Sequence, residues 1–191
     1  MAKEKALPRV RLPKLRRSLL ATALATAAVL GVVAAVAFYS LSRQQESTSA
    51  AEVRPGRPAP DFKVALLNGG TFRLSEQRGR PTVVNFWYAS CPPCRLEMPD
   101  FEQTWREYKD RGLVLVGINP SDTAEEARRF VDEIGVTYPI GLDTDLQVLL
   151  NYRVLFFPST VFIHRDGTIL RTHLGYLDGE LLRGYVEELL Q

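Results

Sequence analysis

The chain has two cysteines, Cys91 and Cys94, separated by two residues. They come two residues after the largely apolar run 83–88, an arrangement typical of a buried strand leading into a helix. This spacing places both sulfurs on one helical turn, where a disulfide can form and open without moving the fold. The helix N-terminus also lowers the pKa of a thiol. The pattern therefore predicts a redox pair with Cys91 as the nucleophile and Cys94 as the resolving thiol.

Two other interpretations of the pair are a structural disulfide and half of a metal site. A bridge across so short a loop stabilises a fold very little, and a zinc site needs two further ligands at characteristic spacing. The histidines, His164 and His173, are far from the cysteines along the chain. We therefore expect neither a metal nor an organic cofactor, with the Cys91–Cys94 disulfide itself as the redox group.

The residues between the cysteines, Pro92 and Pro93, bear on how strongly the pair reduces. Neither proline has a backbone N–H, so a Cys91 thiolate has helix donors only from Cys94 onward, and no intervening histidine adds positive charge. A less stabilised thiolate is a better reductant. This predicts a reducing couple, with Arg95 acting partly in the opposite direction.

The segment 85–99, which reads NFWYASCPPCRLEMP, resembles the active-site segment of thioredoxin-like proteins of the TlpA/ResA/CcmG (DsbE) type. The resemblance begins at Ala-Pro-Asp-Phe (59–62), includes Phe-Pro-Ser-Thr (157–160) and extends to the C-terminus. It implies a membrane-anchored thiol-disulfide oxidoreductase that works outside the cytoplasm. The implied fold is an α/β thioredoxin-like sandwich, with a central mixed sheet, helices on both faces and an N-terminal hairpin.

The resemblance also implies a proton carrier for Cys94. Thioredoxin has a buried aspartate six residues before its first cysteine, but this chain has Asn85 there, which cannot take a proton. Glu97, one turn after Cys94, matches a glutamate that ResA-type members use, and is the candidate acid/base. The alternative is a solvated helix glutamate.

Three further residues are candidates for substrate binding. The resemblance implies that Pro158 is preceded by a cis peptide bond and that the backbone before it pairs with an extended substrate. Phe156 and Phe157 are candidates for an apolar docking wall; the alternative for both is burial in the core, which we favour more for Phe156 than for Phe157. Ser90 stands where the family carries tryptophan; we interpret it as a helix cap whose presence changes the docking surface.

The N-terminal part of the chain has the pattern of a membrane anchor. Residues 18–41 contain no charged side chain and would span about 36 Å as a helix, enough to cross a bilayer core. Residues 1–17 carry a net charge of +6, which predicts a cytoplasmic N-terminus. A cleaved signal peptide is the alternative, since Ala-Val-Ala (35–37) offers small residues for processing. Either interpretation predicts an exported domain at 59–191, joined by a flexible polar linker at 42–58.

Charge excludes one class of function. The total charge of +2 is smaller than that of residues 1–17 alone, so the rest of the chain is acidic by four charges. The sequence therefore gives no support for nucleic-acid binding.

The exported part alternates strand and helix patterns, which favours an α/β fold. The first helix is expected to carry Leu96, Phe101, Trp105 and Tyr108 at helical spacing and to bend at Pro99. Two strands near the C-terminus are joined by Arg-Asp-Gly (165–167). The predicted strands are 62–67, 71–74, 82–88, 113–118, 160–164 and 168–174, and the predicted helices are 92–111, 121–134, 146–152 and 178 onward.

The function that these features favour is reduction of protein disulfides outside the cytoplasm. The resemblance implies apocytochrome c as a substrate and a transmembrane thiol carrier of the CcdA or DsbD kind as the electron donor. Alternatives are a disulfide-forming oxidant, a peroxiredoxin-like peroxidase and a Sco-like copper-binding module. Tyr88 stands where peroxidases of this kind carry threonine, and Sco proteins have one more residue between their cysteines.

Overall fold

The structure, a computed structural model, describes residues 30–36 and 53–191. Residues 30–36 are helical and their side chains are exposed. Within the described residues, no helix has the length and apolar character needed to span a membrane. The predicted N-terminal segment 1–17, most of the predicted span 18–41 and residues 42–52 of the predicted linker lie outside the described residues.

A seven-stranded mixed sheet organises residues 53–191. Its strands pair in the order β2-β1-β5-β4-β3-β6-β7, with β3, β4 and β5 parallel to one another and the other pairs antiparallel. This confirms the expected thioredoxin-like α/β fold. The strands are β1 (Lys63–Leu66), β2 (Thr71–Arg73), β3 (Thr82–Phe86), β4 (Val114–Asn119), β5 (Ile140–Leu142), β6 (Ser159–Ile163) and β7 (Ile169–Leu174).

Four α-helices cover the two faces of this sheet. They are α1 (Pro92–Tyr108), α2 (Ala124–Ile134), α3 (Gln147–Asn151) and α4 (Gly179–Leu190). Successive strand residues point to opposite faces, so Val83 joins the core under α1, α2 and α4, while Val84 joins the core under α3. Every residue of β3 and β4 is buried, on whichever face of the sheet its side chain lies. This is why the sequences of these two strands are largely apolar.

Side-chain caps begin the two helices that the sequence predicts near residues 121 and 178. Thr123 and Glu126 form a reciprocal capping box at the start of α2, and Asp178 accepts two backbone N–H groups at the start of α4. The helix predicted from residue 92 ends at Tyr108 and continues as a short 3-10 turn, Lys109–Arg111. It passes through Pro99 as one helix.

Strand β5 does not appear among the sequence-based predictions. It is only three residues long and contains Gly141, which weakens the strand pattern. The structure shows why glycine is there, since a Cβ at this position would clash with a side-chain carbon of Val64 on neighbouring β1. Close packing between two strands therefore determines this residue.

The folded domain also begins earlier than Ala59. The backbone N–H of Gly56 donates to the carbonyl of Ile169, and the N–H of Ile169 donates to the carbonyl of Arg57, each at 2.8 Å. Pro58 forms an antiparallel bridge with Thr168. Residues 56–58, which the sequence assigns to the linker, therefore lie along the start of β7.

Candidate active site

The two segments of the candidate site meet where two neighbouring inner strands of the sheet end and begin. β3 ends at Phe86, and its antiparallel neighbour β6 begins at Ser159, directly opposite. The chain leaving β3 carries Cys91, and the chain entering β6 carries Pro158. The aromatic rings of Tyr88 and Phe157, one from each segment, are in edge-on contact with centroids 5.1 Å apart.

Cys91 and Cys94 form a disulfide at the start of α1, with Cα atoms 5.3 Å apart. Both residues are buried, at 2% and 0% relative exposure. Cys91 is itself the N-cap of α1, since its Sγ accepts a hydrogen bond from the N–H of Cys94 at 3.2 Å. Our interpretation of Ser90 as the cap was therefore wrong, and Ser90 lies exposed beside the disulfide.

Glu97 lies inside the protein, with 0% relative exposure. The alternative of a solvated glutamate is therefore wrong. Its Oε1 accepts a hydrogen bond from Nδ2 of Asn85 at 2.8 Å, and its Oε2 accepts one from the backbone N–H of Leu177 at 3.0 Å. The carboxyl group is thus held between strand β3 and the segment that joins β7 to α4.

Burial raises the pKa of Glu97 to about 8, and the hydrogen bonds from Asn85 and Leu177 oppose that rise without cancelling it. A free cysteine thiol has a pKa of about 8.5. A carboxyl group with a pKa so close can exchange a proton with a thiol at little free-energy cost in either direction. Glu97 therefore has the acid strength expected of a partner for a cysteine thiol one turn away.

The helix face that carries Glu97 was misjudged from the sequence. Leu96, which we grouped with the apolar face of α1, is 67% exposed. The buried positions instead include Cys94, Glu97, Phe101, Thr104 and Tyr108, which recur at intervals of three and four residues. Extending that spacing back from Phe101 would have placed Glu97 toward the core.

The Phe157–Pro158 peptide bond is cis. The carbonyl of Pro158 accepts a hydrogen bond from the N–H of Gly175 at 2.8 Å, so the segment after β7 contacts this proline as well as Glu97. The order of burial that we expected for the two phenylalanines was wrong. Phe156 is 63% exposed, while Phe157 is half-buried against Tyr88.

Arg95 is turned toward α2. Its guanidinium forms hydrogen bonds of 2.7 and 3.3 Å with the carboxylate of Glu133 and lies over the ring of Phe130, 4.7 Å from the centroid. Phe130 in turn stacks on Trp87 at 5.1 Å, just before the cysteines. The positive charge expected to stabilise a Cys91 thiolate is thus paired with a carboxylate.

Two supporting residues were missed from the sequence. Asp122 accepts hydrogen bonds from the backbone N–H of Ala89 at 2.6 Å and from the side chain of Asn119 at 2.7 Å, which fixes the turn before the cysteines. Thr160 accepts a hydrogen bond from Asn85 at 3.1 Å. A polar residue within an apolar strand run, as at Asn85, is the signal that could have pointed to this buried network.

Across residues 30–36 and 53–191, no three His, Cys, Asp or Glu side chains are grouped so that they could hold a metal ion.

Comparison with known proteins decides the family. The model of the AhpC/TSA family matches residues 55–172. The thiol-disulfide oxidoreductase ResA of Halalkalibacterium halodurans is 32% identical over 160 residues, covering 84% of this chain and 89% of that protein. The chain belongs to the TlpA/ResA/CcmG family of thiol-disulfide oxidoreductases within AhpC/TSA.

Solved structures agree with this TlpA/ResA/CcmG-type assignment. A thiol:disulfide interchange protein of the thioredoxin family from Chlorobium tepidum has a TM-score of 0.67 at 25% identity, covering 74% of this chain and all of that one. A secreted Mycobacterium tuberculosis disulfide oxidoreductase homologous to E. coli DsbE has a TM-score of 0.62 at 26% identity, covering 67% of this chain and 96% of that one. This family member is therefore a thioredoxin-fold thiol-disulfide oxidoreductase.

Proposed function

We propose that this oxidoreductase reduces protein disulfides outside the cytoplasm, using Cys91 and Cys94 as its dithiol. One observation carries the proposal: the first turn of α1 holds the cysteine disulfide, and the next turn holds a buried glutamate. A disulfide at a helix N-terminus can cycle, and a buried carboxyl with a raised pKa can move the proton that cycling requires.

In the first step the Cys91 thiolate attacks one sulfur of a substrate disulfide. A mixed disulfide forms between Cys91 and the substrate, the substrate S–S bond breaks, and one substrate sulfur leaves as a thiolate that takes up a proton. In the second step Cys94, after losing its proton, attacks the sulfur of Cys91. The Cys91–Cys94 disulfide forms, the second substrate thiol is released, and two electrons have passed to the substrate.

Glu97 is the group proposed to carry the proton of Cys94. Its ionised carboxylate accepts that proton when Cys94 attacks, and its protonated form returns a proton to Cys94 when the disulfide is reduced again. Because the pKa of Glu97 is raised to about 8, both forms are accessible near neutral pH. Leaving the carboxyl exposed would favour the ionised form alone.

The reducing direction is supported by the restricted set of donors to Cys91. Pro92 and Pro93 offer no N–H, and the guanidinium of Arg95 is paired with Glu133. A Cys91 thiolate is therefore weakly stabilised, which favours the disulfide form of the protein and makes the dithiol a stronger reductant.

The site of action and the partners are part of the same proposal. The basic segment 1–17 and the apolar segment 18–41 favour a membrane-anchored protein with its domain outside the cytoplasm. The dithiol would then receive electrons from a transmembrane thiol carrier. Apocytochrome c, whose haem-binding cysteines must be reduced, is the proposed substrate class.

The deciding experiment is the reduction potential of the Cys91–Cys94 couple. The full chain is equilibrated with dithiothreitol or glutathione buffers, and the dithiol fraction is measured by alkylation, with Cys91→Ser as the blank. A reduction potential well below about −200 mV supports a reductase. A potential near that of strongly oxidising members, about −120 mV, contradicts the proposal and makes the protein a disulfide-forming oxidant.

A further inference from the structure

Asn85 lies in the interior between the two segments of the site. It is 0% exposed and stands in β3 opposite Gly117 on one side and Thr160 on the other. Its Nδ2 donates to Oε1 of Glu97 at 2.8 Å and to Oγ1 of Thr160 at 3.1 Å. A side-chain amide nitrogen has two hydrogens, so both bonds can be made at once. The amide thus joins the cysteine-bearing helix to the strand that follows Pro158.

The other end of this amide has no partner. Oδ1 of Asn85 is buried and accepts no hydrogen bond from any described residue. Buried acceptors are normally satisfied, because an unpaired one costs about 1–3 kcal/mol. An unused acceptor on the residue that holds Glu97 therefore calls for a chemical explanation.

Glu97 needs different partners in its two protonation states. The ionised carboxylate only accepts hydrogen bonds, whereas the protonated carboxyl has one O–H to donate. The N–H of Leu177 is fixed in the backbone and can serve only as a donor. Of the two described groups that bond directly to Glu97, the amide of Asn85 is the one that offers both a donor and an acceptor.

We propose that Asn85 is a positioning residue that pairs with Glu97 in both protonation states: Nδ2 donates to the carboxylate, and Oδ1 accepts from the carboxyl after the amide turns over. The hydroxyl of Thr160 can accept from Nδ2 or donate to Oδ1, so it holds the amide in either orientation. Glu97 then has a hydrogen-bond donor when it is ionised and a hydrogen-bond acceptor when it is protonated. This inference rests on the proposed role of Cys91, Cys94 and Glu97.

Asparagine suits this position better than the residues that could replace it. Aspartate would put a second carboxyl group within hydrogen-bonding distance of Glu97, and two such groups cannot both ionise. An apolar residue would leave the ionised carboxylate with the Leu177 N–H as its remaining donor. In either case the ionised form of Glu97 loses stability relative to the protonated form.

Few other charged groups face Glu97. Its own helix carries Cys94 one turn before it and Asp100 one turn after it, and Asp100 lies against Gly179 at the start of α4. Tyr138, from the segment before β5, is fully buried and its pKa is raised well above the usual value by burial and by the charge of Glu97. β3 and β6 present the uncharged Asn85 and Thr160. The amide of Asn85 is therefore the neutral group that can either donate a hydrogen bond to the Glu97 carboxyl or accept one from it.

The test compares the full chain with its Asn85→Leu variant, which keeps the number and branching of the side-chain heavy atoms and removes donor and acceptor. The pKa of Glu97 is read from the pH dependence of its carboxyl carbon signal in NMR of the oxidised protein. The resolving step is timed as release of a small aromatic thiol from its mixed disulfide with Cys91. We expect the pKa of Glu97 to rise by about one unit and the rate at pH 7 to fall about tenfold, as fewer molecules are ionised.

Two further variants separate positioning from a general loss of structure. Thr104→Val changes a buried residue of the same helix whose hydroxyl has no hydrogen-bond partner among the described residues, and should leave both readouts unchanged. Adding Asn85→Leu to Glu97→Gln should leave the pH profile of Glu97→Gln as it was. Thr160→Val should move the profile in the same direction by less, and it carries the test if Asn85→Leu does not fold.

The outcomes discriminate between the two proposals. A wild-type protein that releases the thiol at no pH contradicts the proposed redox function. A working wild-type protein whose Glu97 titration and pH profile stay within about 0.2 units in the folded Asn85 or Thr160 variant contradicts the role of Asn85 alone. A variant whose rate falls by the same factor at every pH also contradicts the role of Asn85 alone, because the loss of a merely structural residue would lower the rate without shifting the pH profile.

Discussion

The backbone N–H of Cys94 donates a hydrogen bond to Sγ of Cys91 at 3.2 Å. Pro92 and Pro93 occupy the first two helical positions and have no N–H, so this is the first amide of α1 that can reach the sulfur. The residue that carries the resolving thiol therefore also supplies the helix donor to the nucleophile. A Cys91 thiolate is held more weakly than it would be by a helix start with all its amides free.

Restoring one amide should make the couple more oxidising. Pro93→Ala adds an N–H at the second helical position, where it can donate to Cys91 Sγ and stabilise the thiolate. We expect the pKa of the Cys91 thiol to fall and the reduction potential to rise by about 30 mV, which corresponds to about 1.4 kcal/mol. The potential is measured in dithiothreitol buffers. Pro99→Ala, the same substitution further along α1, is the control and should not change the potential.

Removing the resolving thiol should trap substrates. In Cys94→Ala the mixed disulfide on Cys91 cannot be resolved from within the protein, so substrate proteins should remain attached through Cys91. Complexes are collected from cells under non-reducing conditions and should separate on adding a reductant. Cys91→Ala should trap far fewer proteins than Cys94→Ala, and equal trapping by both variants would reverse the assignment of nucleophile and resolving thiol.

The raised pKa of Glu97 gives stability a particular pH dependence. Glu97 is protonated in the folded protein up to about pH 8, whereas in the unfolded chain it ionises near its ordinary value of about 4.3. Between these values the folded state binds more protons, so the contribution of Glu97 to stability is lost as the pH rises. We expect the free energy of unfolding of the wild type to fall relative to Glu97→Gln by up to about 1.4 kcal/mol per pH unit in this range.

That comparison is made by urea unfolding of both proteins, oxidised, from pH 4 to pH 9. The difference between them should change between about pH 5 and pH 8 and level off outside that window. A difference that is constant across the whole range would mean that Glu97 is not protonated in the folded protein at neutral pH.

The segment before Ala59 should stabilise the domain. A chain starting at residue 59 lacks the two hydrogen bonds that Gly56 and Arg57 make with Ile169 in β7. Compared with a chain starting at residue 53, we expect a loss of about 1–3 kcal/mol of unfolding free energy in urea. The reduction potentials of the two chains should agree, because these bonds are not with the cysteine segment; a changed potential would mean that the segment reaches the site.

Much of the fold follows from signals confined to a few residues. The hairpin of β1 and β2 and the helix starts near residues 121 and 178 were predicted, since each depends on neighbours within a few residues; the structure shows that a capping box at Thr123 and a cap at Asp178 begin these two helices. Strands β3 and β4 were predicted because strands buried on both faces carry mainly apolar side chains.

Other features depend on residues far apart in the chain. Gly141 is needed in β5 because Val64 of another strand approaches it, and no local pattern contains that information. Phe156 and Phe157 are adjacent and of the same type, yet one is exposed and the other packs on Tyr88. Their exposure is decided by how the segment before Pro158 lies against the segment before Cys91.

The sequence by itself determined the redox pair, because the spacing of Cys91 and Cys94 and the prolines between them lie within one turn of helix. Only the tertiary structure decided the environment of Glu97, because the groups that bury it and bond to it come from β3 and from the segment after β7. A carboxyl pKa depends on burial and on donors brought together by folding, and these are set by contacts across as many as 80 positions of the chain.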